Sequence, residues 1–573
     1  MRRKPMFNAA SAAALLMLVS ACGGGDDNDN NNNNNNNNSL PQLSAATGAA
    51  LPSCSDLVTR ISFANTTITA ANPIAAGALT VGGTPVPAHC QILGRMFQRV
   101  SPVDGNTYAI GFEMRLPNAW NGRFFYQANG GTDGSVLTAT GGVNGGFAST
   151  SALNQGFAVI SSDAGHTAAQ NFGIDPQARL DYGYQAAAKL TPMAKTAIQT
   201  AYGKAPDRSY FGGCSNGGRH TMVAAARMPD QYDGYLVGDP GFRLPLAAIA
   251  NIAAYQGYAS VATDPTDIST GFTQTERTLV SNAVLAKCDA LDGAADGLIQ
   301  DTPACQAAFN LDRDVPTCSG ARNGTCLSAA QKAVIGKRFS GETTSSGTRF
   351  YSSWPYDAGI GGGNTPLWYF TAPWQRDAPA VATIWEVPPE PVAGFSGTTF
   401  ALTGNIDTML AKVQATNATY TESALSFMLP PHLSDLSAVK NRGAKMMVYH
   451  GVSDPIFSVD DTKAWYDGLR AANGGDASDF ARFYRVPGMG HCSGGPATDQ
   501  FDMLDSLVKW VEQGQAPDSV TATARGAGNA GGVNAELPAG WAADRSRPLC
   551  PYPKVARYSG SGSLEVAASF TCQ

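Results

Sequence analysis

The stretch Phe211–His220, FGGCSNGGRH, constrains this chain more than any other. It contains Gly213-x-Ser215-x-Gly217, the spacing of a serine on a tight turn between a strand and a helix. The glycines permit a strained backbone, and the flanks suit it: Ser209-Tyr210-Phe211 is strand-like, and Arg219 to Met228 is helix-forming. Such a turn exposes its serine at the carboxyl edge of a parallel sheet, where open α/β proteins place their sites. A cysteine, Cys214, stands directly before that serine. The turn itself does not require it.

The rest of the chain supplies the sheet. Short apolar runs ending in glycine-rich or polar turns recur at Arg123 to Gly131, Gly156 to Gly165, Ser209 to Gly218, Ala444 to Asp454 and Phe480 to His491. Continuously apolar runs of this length fit strands buried on both faces. Helical patterns lie between them, at Arg179 to Gly203 and at Asp460 to Gly475, the second starting on aspartates suited to capping. This alternation predicts an α/β-hydrolase fold. At 573 residues, 43% of them hydrophobic, the chain can hold more than one unit. Residues 241–441 carry four cysteines, an acidic glycine-rich loop and the aromatic, Gly/Pro-rich stretch Ser352 to Pro391. The expected organisation is a core in two parts, 54–240 and 442–573, with an inserted, disulfide-stapled lid domain over 241–441.

The N-terminus gives an address. Arg2, Arg3 and Lys4 precede an apolar run, a secretory signal over residues 1–21 that is too short to span a bilayer. It ends on Val19-Ser20-Ala21-Cys22, which resembles a bacterial lipobox, so Cys22 is expected to be the lipidated first residue of the mature chain. A Gly/Asp/Asn-rich tether to residue 53 follows, with too little apolar surface to offset the entropy of ordering. The expectation is an exported monomer, an outer-membrane lipoprotein facing the periplasm or the exterior, touching the membrane through its lipid alone. A net charge of -6, with no basic run beyond the N-terminus, argues against nucleic acid as a partner.

Of 11 cysteines, setting aside Cys22 leaves ten in an oxidising compartment. Proximity suggests Cys54 with Cys90, Cys288 with Cys305, Cys318 with Cys326, and Cys550 with Cys572. Cys214 and Cys492 remain. Zinc is the rival use, but paired Cys-x2-Cys spacings are missing.

A nucleophilic serine needs a histidine base, itself oriented by an acid, in the order Ser, Asp or Glu, His for this fold. His89 and His166 precede Ser215. His220 falls on the following helix, where packing is the expectation, and His432 follows two prolines on a surface loop. His491, late and on a glycine-rich loop, fits the base; Asp454, just past a strongly apolar strand, fits the acid. If Ser215 and His491 share a hydrogen bond of roughly 3 Å, their neighbours Cys214 and Cys492 come within reach of a disulfide. The two leftover cysteines thus adjoin the two residues that must meet. One donor for a carbonyl oxyanion is then expected at the residue after the serine, Asn216.

Cys214-Ser215, Asp454 and His491-Cys492 together resemble the pattern of the tannase and feruloyl esterase family, over most of the mature chain. The resemblance implies a serine carboxylic-ester hydrolase acting on small esters of aromatic acids through an acyl-serine intermediate. A terephthalate monoester is the first expected substrate and feruloyl or galloyl esters the second; a peptidase and a non-catalytic binding lipoprotein are the other classes. It further implies a second oxyanion donor at Gly131 in Ala128-Asn-Gly-Gly131. A structural calcium loop would be formed by the side chains of Asp289, Asp292 and Asp296 with the carbonyls of Ala294 and Leu298; no organic cofactor is implied. Leu244, Trp368, Arg376, His450 and Phe457 match substrate-binding positions, Arg376 as the partner of a free carboxylate. A small residue stands near Ala380, where a larger aromatic would close over substrate.

Overall fold

A computed structural model describes residues 40–142, 146, 148, 150–167 and 170–573. The expected signal peptide, Cys22 and the tether up to residue 39 lie outside them. Each apolar run named above contains a strand. Nine strands make one sheet: β1 (Thr66–Ile74), β2 (His89–Val100), β3 (Thr107–Pro117), β4 (Arg123–Gln127), β5 (Ala158–Ser162), β6 (Arg208–Cys214), β7 (Gly234–Gly238), β8 (Lys445–Gly451) and β9 (Ala481–Val486). Their order is β9-β8-β7-β6-β4-β5-β3-β2-β1. Strands β4 to β9 run parallel to their neighbours among themselves, and β1, β2 and β3 are joined antiparallel at one side. This is the α/β-hydrolase sheet. The continuous apolar runs mark the parallel half; β2 and β3 mix charged and apolar residues, and β1 carries small, polar and only partly buried ones.

Alternation along each strand divides the core. Phe124, Ile160, Phe211, Val237, Met446 and Phe483 face one buried cluster, while Phe125, Val159, Tyr210, Leu236 and Met447 face the other. Helix α1 (Ala186–Tyr202) and helix α2 (Asn216–Arg227) cover the first face. Between β7 and β8 the chain adds no strand to this sheet; it opens with α3 (Leu244–Ser260) and builds a third apolar cluster that includes Trp354, Tyr369, Phe370 and Trp385. Ile456 and Phe457, from the loop after β8, pack into that cluster. Helix α4 (Val459–Ala472) returns to the first face, and α5 (Met503–Gln513) covers the second. The cap of α4 is Ser458, whose Oγ accepts from Asp460 N–H at 3.1 Å, so the expected aspartate cap lies inside the first turn.

Part of the inserted segment winds as wide, i to i+5 turns at Leu367–Thr371, Pro373–Asp377 and Ala380–Trp385. Pro373 and Pro379 have no N–H to close ordinary helical turns there, which favours such local widening. These turns carry Trp368, Arg376 and Ala380.

The tether expected to run to residue 53 stops short of it. Ala49–Ala50 pairs antiparallel with Ala119–Trp120, Leu51 N–H donates to Asn118 O at 2.9 Å, and Gln42 Nε2 donates to Val511 O at 2.9 Å. Residues 40–53 therefore lie against the core, because Leu43 and Leu51 offer it apolar surface that the asparagine run lacks. Five disulfides are formed, pairing Cys54–Cys90, Cys214–Cys492, Cys288–Cys305, Cys318–Cys326 and Cys550–Cys572. Among the described residues, no helix is long and apolar enough to cross a membrane.

The packing of β6 onto α2 leaves no room at its glycines. A Cβ on Gly217 would stand 2.4 Å from Ala128 O and 3.2 Å from Asn129 O, both backbone atoms. Gly217→Ala is expected to lower stability by about 1–3 kcal/mol, read as a shifted midpoint in denaturant unfolding.

Candidate active site

β6 ends at Cys214 and α2 begins at Asn216, so Ser215 alone makes the turn, at φ +67° and ψ −126°. That conformation is strained for a residue with a Cβ. It persists because the turn is wedged: a Cβ on Gly213 would meet Ala128 O at 2.4 Å and Gly217 Cα at 2.8 Å. Ser215 N–H donates to Gly238 O at 3.0 Å, fastening the turn to β7.

The loops after β8 and β9 meet that serine. His491 Nε2 lies 2.8 Å from Ser215 Oγ, and His491 Nδ1 lies 2.7 Å from Asp454 Oδ2. The other carboxylate oxygen of Asp454 accepts from Ile456 N–H at 2.9 Å and Phe457 N–H at 3.0 Å. Burial works against the charge of Asp454, yet His491 and His450 hold its carboxyl well below the ordinary range. The rings of Trp368 and Phe457 stand edge-on to His491, with centroids 5.0 and 5.2 Å away. The Cys214–Cys492 bond closes the base loop onto the serine turn, with Cα atoms 6.1 Å apart across 278 residues of chain.

Beside the serine runs the glycine loop after β4. A Cβ on Gly130 would stand 3.7 Å from Cys214 O and 3.8 Å from Ser215 Cβ, and one on Gly131, at φ +65°, would meet open space. Asn216 contributes the first N–H of α2, which has no acceptor within its own helix. A buried network holds loop and helix together. Asp133 Oδ2 accepts from Asn216 Nδ2 at 2.8 Å and lies 2.8 Å from His220 Nε2; Arg219 Nε donates to Asn216 Oδ1 at 2.6 Å. Burial, with the neighbouring Arg219 charge, pushes the His220 imidazole below its ordinary pKa. His166 Nε2 sits 2.7 Å from Thr132 O on the same loop. His166, which precedes the serine in the chain, and His220, expected to pack on the following helix, thus shape the loop next to the serine.

A cavity opens here between sheet edge and inserted segment, lined by Gly131, Thr132, Ser215, Asn216, Leu244, Arg376, Asp377, Ala380, Trp385 and Phe457. Leu244, Arg376 and Phe457 reach it as expected positions, and the small Ala380 lies in its wall. Trp368 stands against His491. Arg376 Nε and one terminal nitrogen both reach Asp377 Oδ1, at 3.0 and 2.7 Å, and its guanidinium lies over Trp368 at 4.9 Å. The ion pair with Asp377 is therefore made at the cavity wall.

His450 does not line this cavity. Its ring is fully buried behind Asp454, with Nδ1 at 2.8 Å from Thr462 Oγ1 and Nε2 at 3.1 Å from Phe457 O and 3.3 Å from Asp454 Oδ2. Burial would lower its pKa, but Asp454 and Asp239 raise it. Its position in β8 turns it into the protein, while the next loop brings the equally buried Asp454 to His491. Asp357, on the inserted segment, was not singled out by the sequence; it accepts from Ser453 Oγ at 2.5 Å and Gly488 N–H at 2.9 Å, holding both the acid and base loops. No motif marks it, because its partners come from two distant loops.

The acidic loop is built of oxygen donors. Asp292 accepts from Ala294 N–H and Gln300 N–H at 3.0 Å each, and Asp289 from Asp296 and Gly297 N–H at 3.0 Å. Burial, aided by the Asp296 and Asp289 charges, pushes Asp292 up to about 7; burial also raises Asp289. Asp296 is paired with Arg547, and Asp301 caps the helix Thr302–Ala308 and pairs with Arg557. The donor chemistry and the uncompensated charge at Asp289 and Asp292 suit a hard cation. Among the described residues, the three carboxylates do not close to within 4.8 Å of one another.

A sheet that presents a strained serine to a histidine loop on one side and a glycine loop on the other defines an α/β-hydrolase. The chain belongs to the tannase and feruloyl esterase family: the profile described as "Tannase and feruloyl esterase" matches residues 90–573. It is 40% identical over 532 residues, 86% of each chain, to mono(2-hydroxyethyl) terephthalate hydrolase of Piscinibacter sakaiensis. It is 26% identical over 564 residues, 92% of this chain and 97% of the relative, to feruloyl esterase B of Aspergillus niger. Among solved structures, feruloyl esterase B from Aspergillus oryzae superposes with a TM-score of 0.70 at 24% identity, covering 90% of this chain and 98% of that one.

The bridge beside the serine gives a direct measurement. Proteolytic mapping without reduction is expected to recover the Cys214 and Cys492 peptides joined, and Cys214→Ala with Cys492→Ala to cost about 2–5 kcal/mol of stability in denaturant unfolding.

Proposed function

We propose that this protein is a serine carboxylic-ester hydrolase of aromatic acids, with Ser215 as nucleophile, His491 as general base and acid, and Asp454 as its orienting carboxylate. The observation that carries the reading is the unbroken line Ser215 Oγ, His491, Asp454 at 2.8 and 2.7 Å. Ser215 Oγ adds to the ester carbonyl as His491 Nε2 takes its proton, and Asp454 stabilises the resulting imidazolium through Nδ1–H. The N–H groups of Gly131 and Asn216 receive the developing oxyanion. The imidazolium then gives its proton to the departing alcohol, leaving acyl-Ser215, which water hydrolyses by the same steps in reverse.

Mono(2-hydroxyethyl) terephthalate is the first substrate, giving terephthalate and ethylene glycol; plant feruloyl or galloyl esters are the second reading, supported by the named relatives. The wall position of Arg376 favours the first, since a terephthalate monoester offers a free carboxylate opposite its ester. Residues 1–21 as a signal peptide, Cys22 as a lipid anchor, and 241–441 as the lid are part of the same proposal, for an enzyme held outside the cytoplasm. In the lid, Asp289, Asp292 and Asp296, with the carbonyls of Ala294 and Leu298, would hold calcium, which supplies charge neutralisation to the fold and takes no part in the reaction.

Three outcomes test this. Chromatography of products from the terephthalate monoester, its bis-ester, methyl ferulate and methyl gallate should detect released aromatic acid, with Ser215→Ala lowering kcat by about 10^3-fold or more; wild type inert on all four would sink the esterase reading. Arg376→Ala should raise KM for the monoester about 10-fold or more and leave methyl ferulate, which has no free carboxylate, within about twofold. EDTA should lower Tm by several degrees, about 2–4 °C per kcal/mol lost, with calcium restoring it more fully than magnesium.

A further inference from the structure

Asp239 is a buried acid that the mechanism above leaves without a role. It follows β7 at the sheet edge that carries Ser215, and it is fully buried. Its backbone is held at φ +36°, left-handed for a residue that is not glycine, with its N–H donating to Tyr449 O at 2.9 Å. Its Oδ1 accepts from Gly451 N–H at 2.8 Å, and its Oδ2 lies 3.5 Å from Cys214 Sγ. Asp239, Asp454 and His491 each present an atom within 4.8 Å of the other two. His450 Nε2 stands 3.9 Å from Asp239 Oδ1 on the far side. The titratable groups facing Asp239 are therefore His450 and Tyr449 from β8, Asp454 from the loop after it, and His491 from the loop after β9. The Cys214–Cys492 bridge beside it carries no charge.

We propose that Asp239 is a positioning residue of this centre, a second carboxylate whose negative charge beside that of Asp454 stabilises the His491 imidazolium formed when Ser215 gives up its proton. This rests on the esterase reading above. Asp239 and Asp454 are buried, and charges less than 5 Å apart on buried side chains are weakly screened. A purely structural role needs only the bond from Gly451 N–H, which the side-chain carbonyl of asparagine also accepts. Asp239→Asn thus separates the two roles, keeping the bond and removing the charge. Burial pushes the Asp239 carboxyl up to about 7, with Asp454 adding to the rise and His450 and His491 opposing it. The second charge is then present above neutrality and lost below it, so its help grows as pH rises through that value.

The test compares wild type, D239N, D454N and D239N/D454N on methyl ferulate from about pH 5 to 9, with active sites counted by stoichiometric phosphonate labelling of Ser215. In D239N, kcat above pH 8 is expected to fall about 3- to 30-fold with KM nearly unchanged, the acid limb of kcat/KM to move to lower pH by about half a unit or more, and the gap from wild type to narrow below pH 6. The double variant is expected to fall at least about fivefold below D454N. A D239N profile that superimposes on wild type, or a double variant equal to D454N, overturns the proposal. Should D239N not fold, D239S replaces it in the same comparison: a fall in kcat above pH 8 of about 3-fold or more with KM nearly unchanged supports the proposal, and a profile that superimposes on wild type overturns it. Wild type inactive on every ester would instead remove the esterase reading, so the two failures are distinguishable.

Discussion

The bond between Cys214 and Cys492 joins the turn after β6 to the loop after β9, and the rest of the site depends on that closure. A strained serine at positive φ and a histidine on a glycine-rich loop have little intrinsic reason to stay together. The bridge fixes the two backbones one residue away from the 2.8 Å contact between Ser215 and His491. Close packing does the rest on the serine side, where Ala128 O lies against both Gly213 and Gly217. On the histidine side Asp357 reaches from the inserted segment to Ser453 and Gly488. The order of the centre is thus shared between a covalent bond, backbone contact and one buried carboxylate.

Charge is arranged around that line with unusual density. Asp454 is kept ionised by two histidines against its burial, two aspartates raise the pKa of His450 against its burial, and Asp239 sits between states near neutrality. On the opposite side of Ser215, Asp133 bridges Asn216 and His220, and Arg219 fills the space behind. Buried polar groups at such a density are stable only when each finds a partner. The inserted segment makes this possible by covering the sheet edge with Trp368, Trp385 and the neighbouring apolar cluster.

Legibility in the sequence followed the locality of each signal. The parallel strands were readable because burial on both faces leaves a continuous apolar run. Strands β1 to β3 give no such run, because charged residues interrupt β2 and β3, β1 is only partly buried, and the β1–β2 and β2–β3 pairs each carry a register shift. Ser215, Asp454 and His491 could be named because chain order and a short histidine inventory limit the choices, and the pairing of Cys214 with Cys492 followed from them. His450 stands beside Asp454 and outside the cavity wall, because a residue at the end of a buried strand can face either way and the packing of α4 through Thr462 sets its direction. Asp239, Asp133 and Asp357 carry no motif.

The sequence by itself determined the parallel part of the hydrolase sheet, the serine turn, the cysteine pairs and the order of the three residues that meet there, since each rests on spacing, periodicity or elimination within short segments. Only the tertiary structure decided which side chains stand behind that line, where the N-terminal segment joins the core, and that Arg376 reaches the cavity wall while His450 does not. Those outcomes depend on contacts between loops separated by up to hundreds of residues, and side-chain direction at a strand end is set by what packs against it.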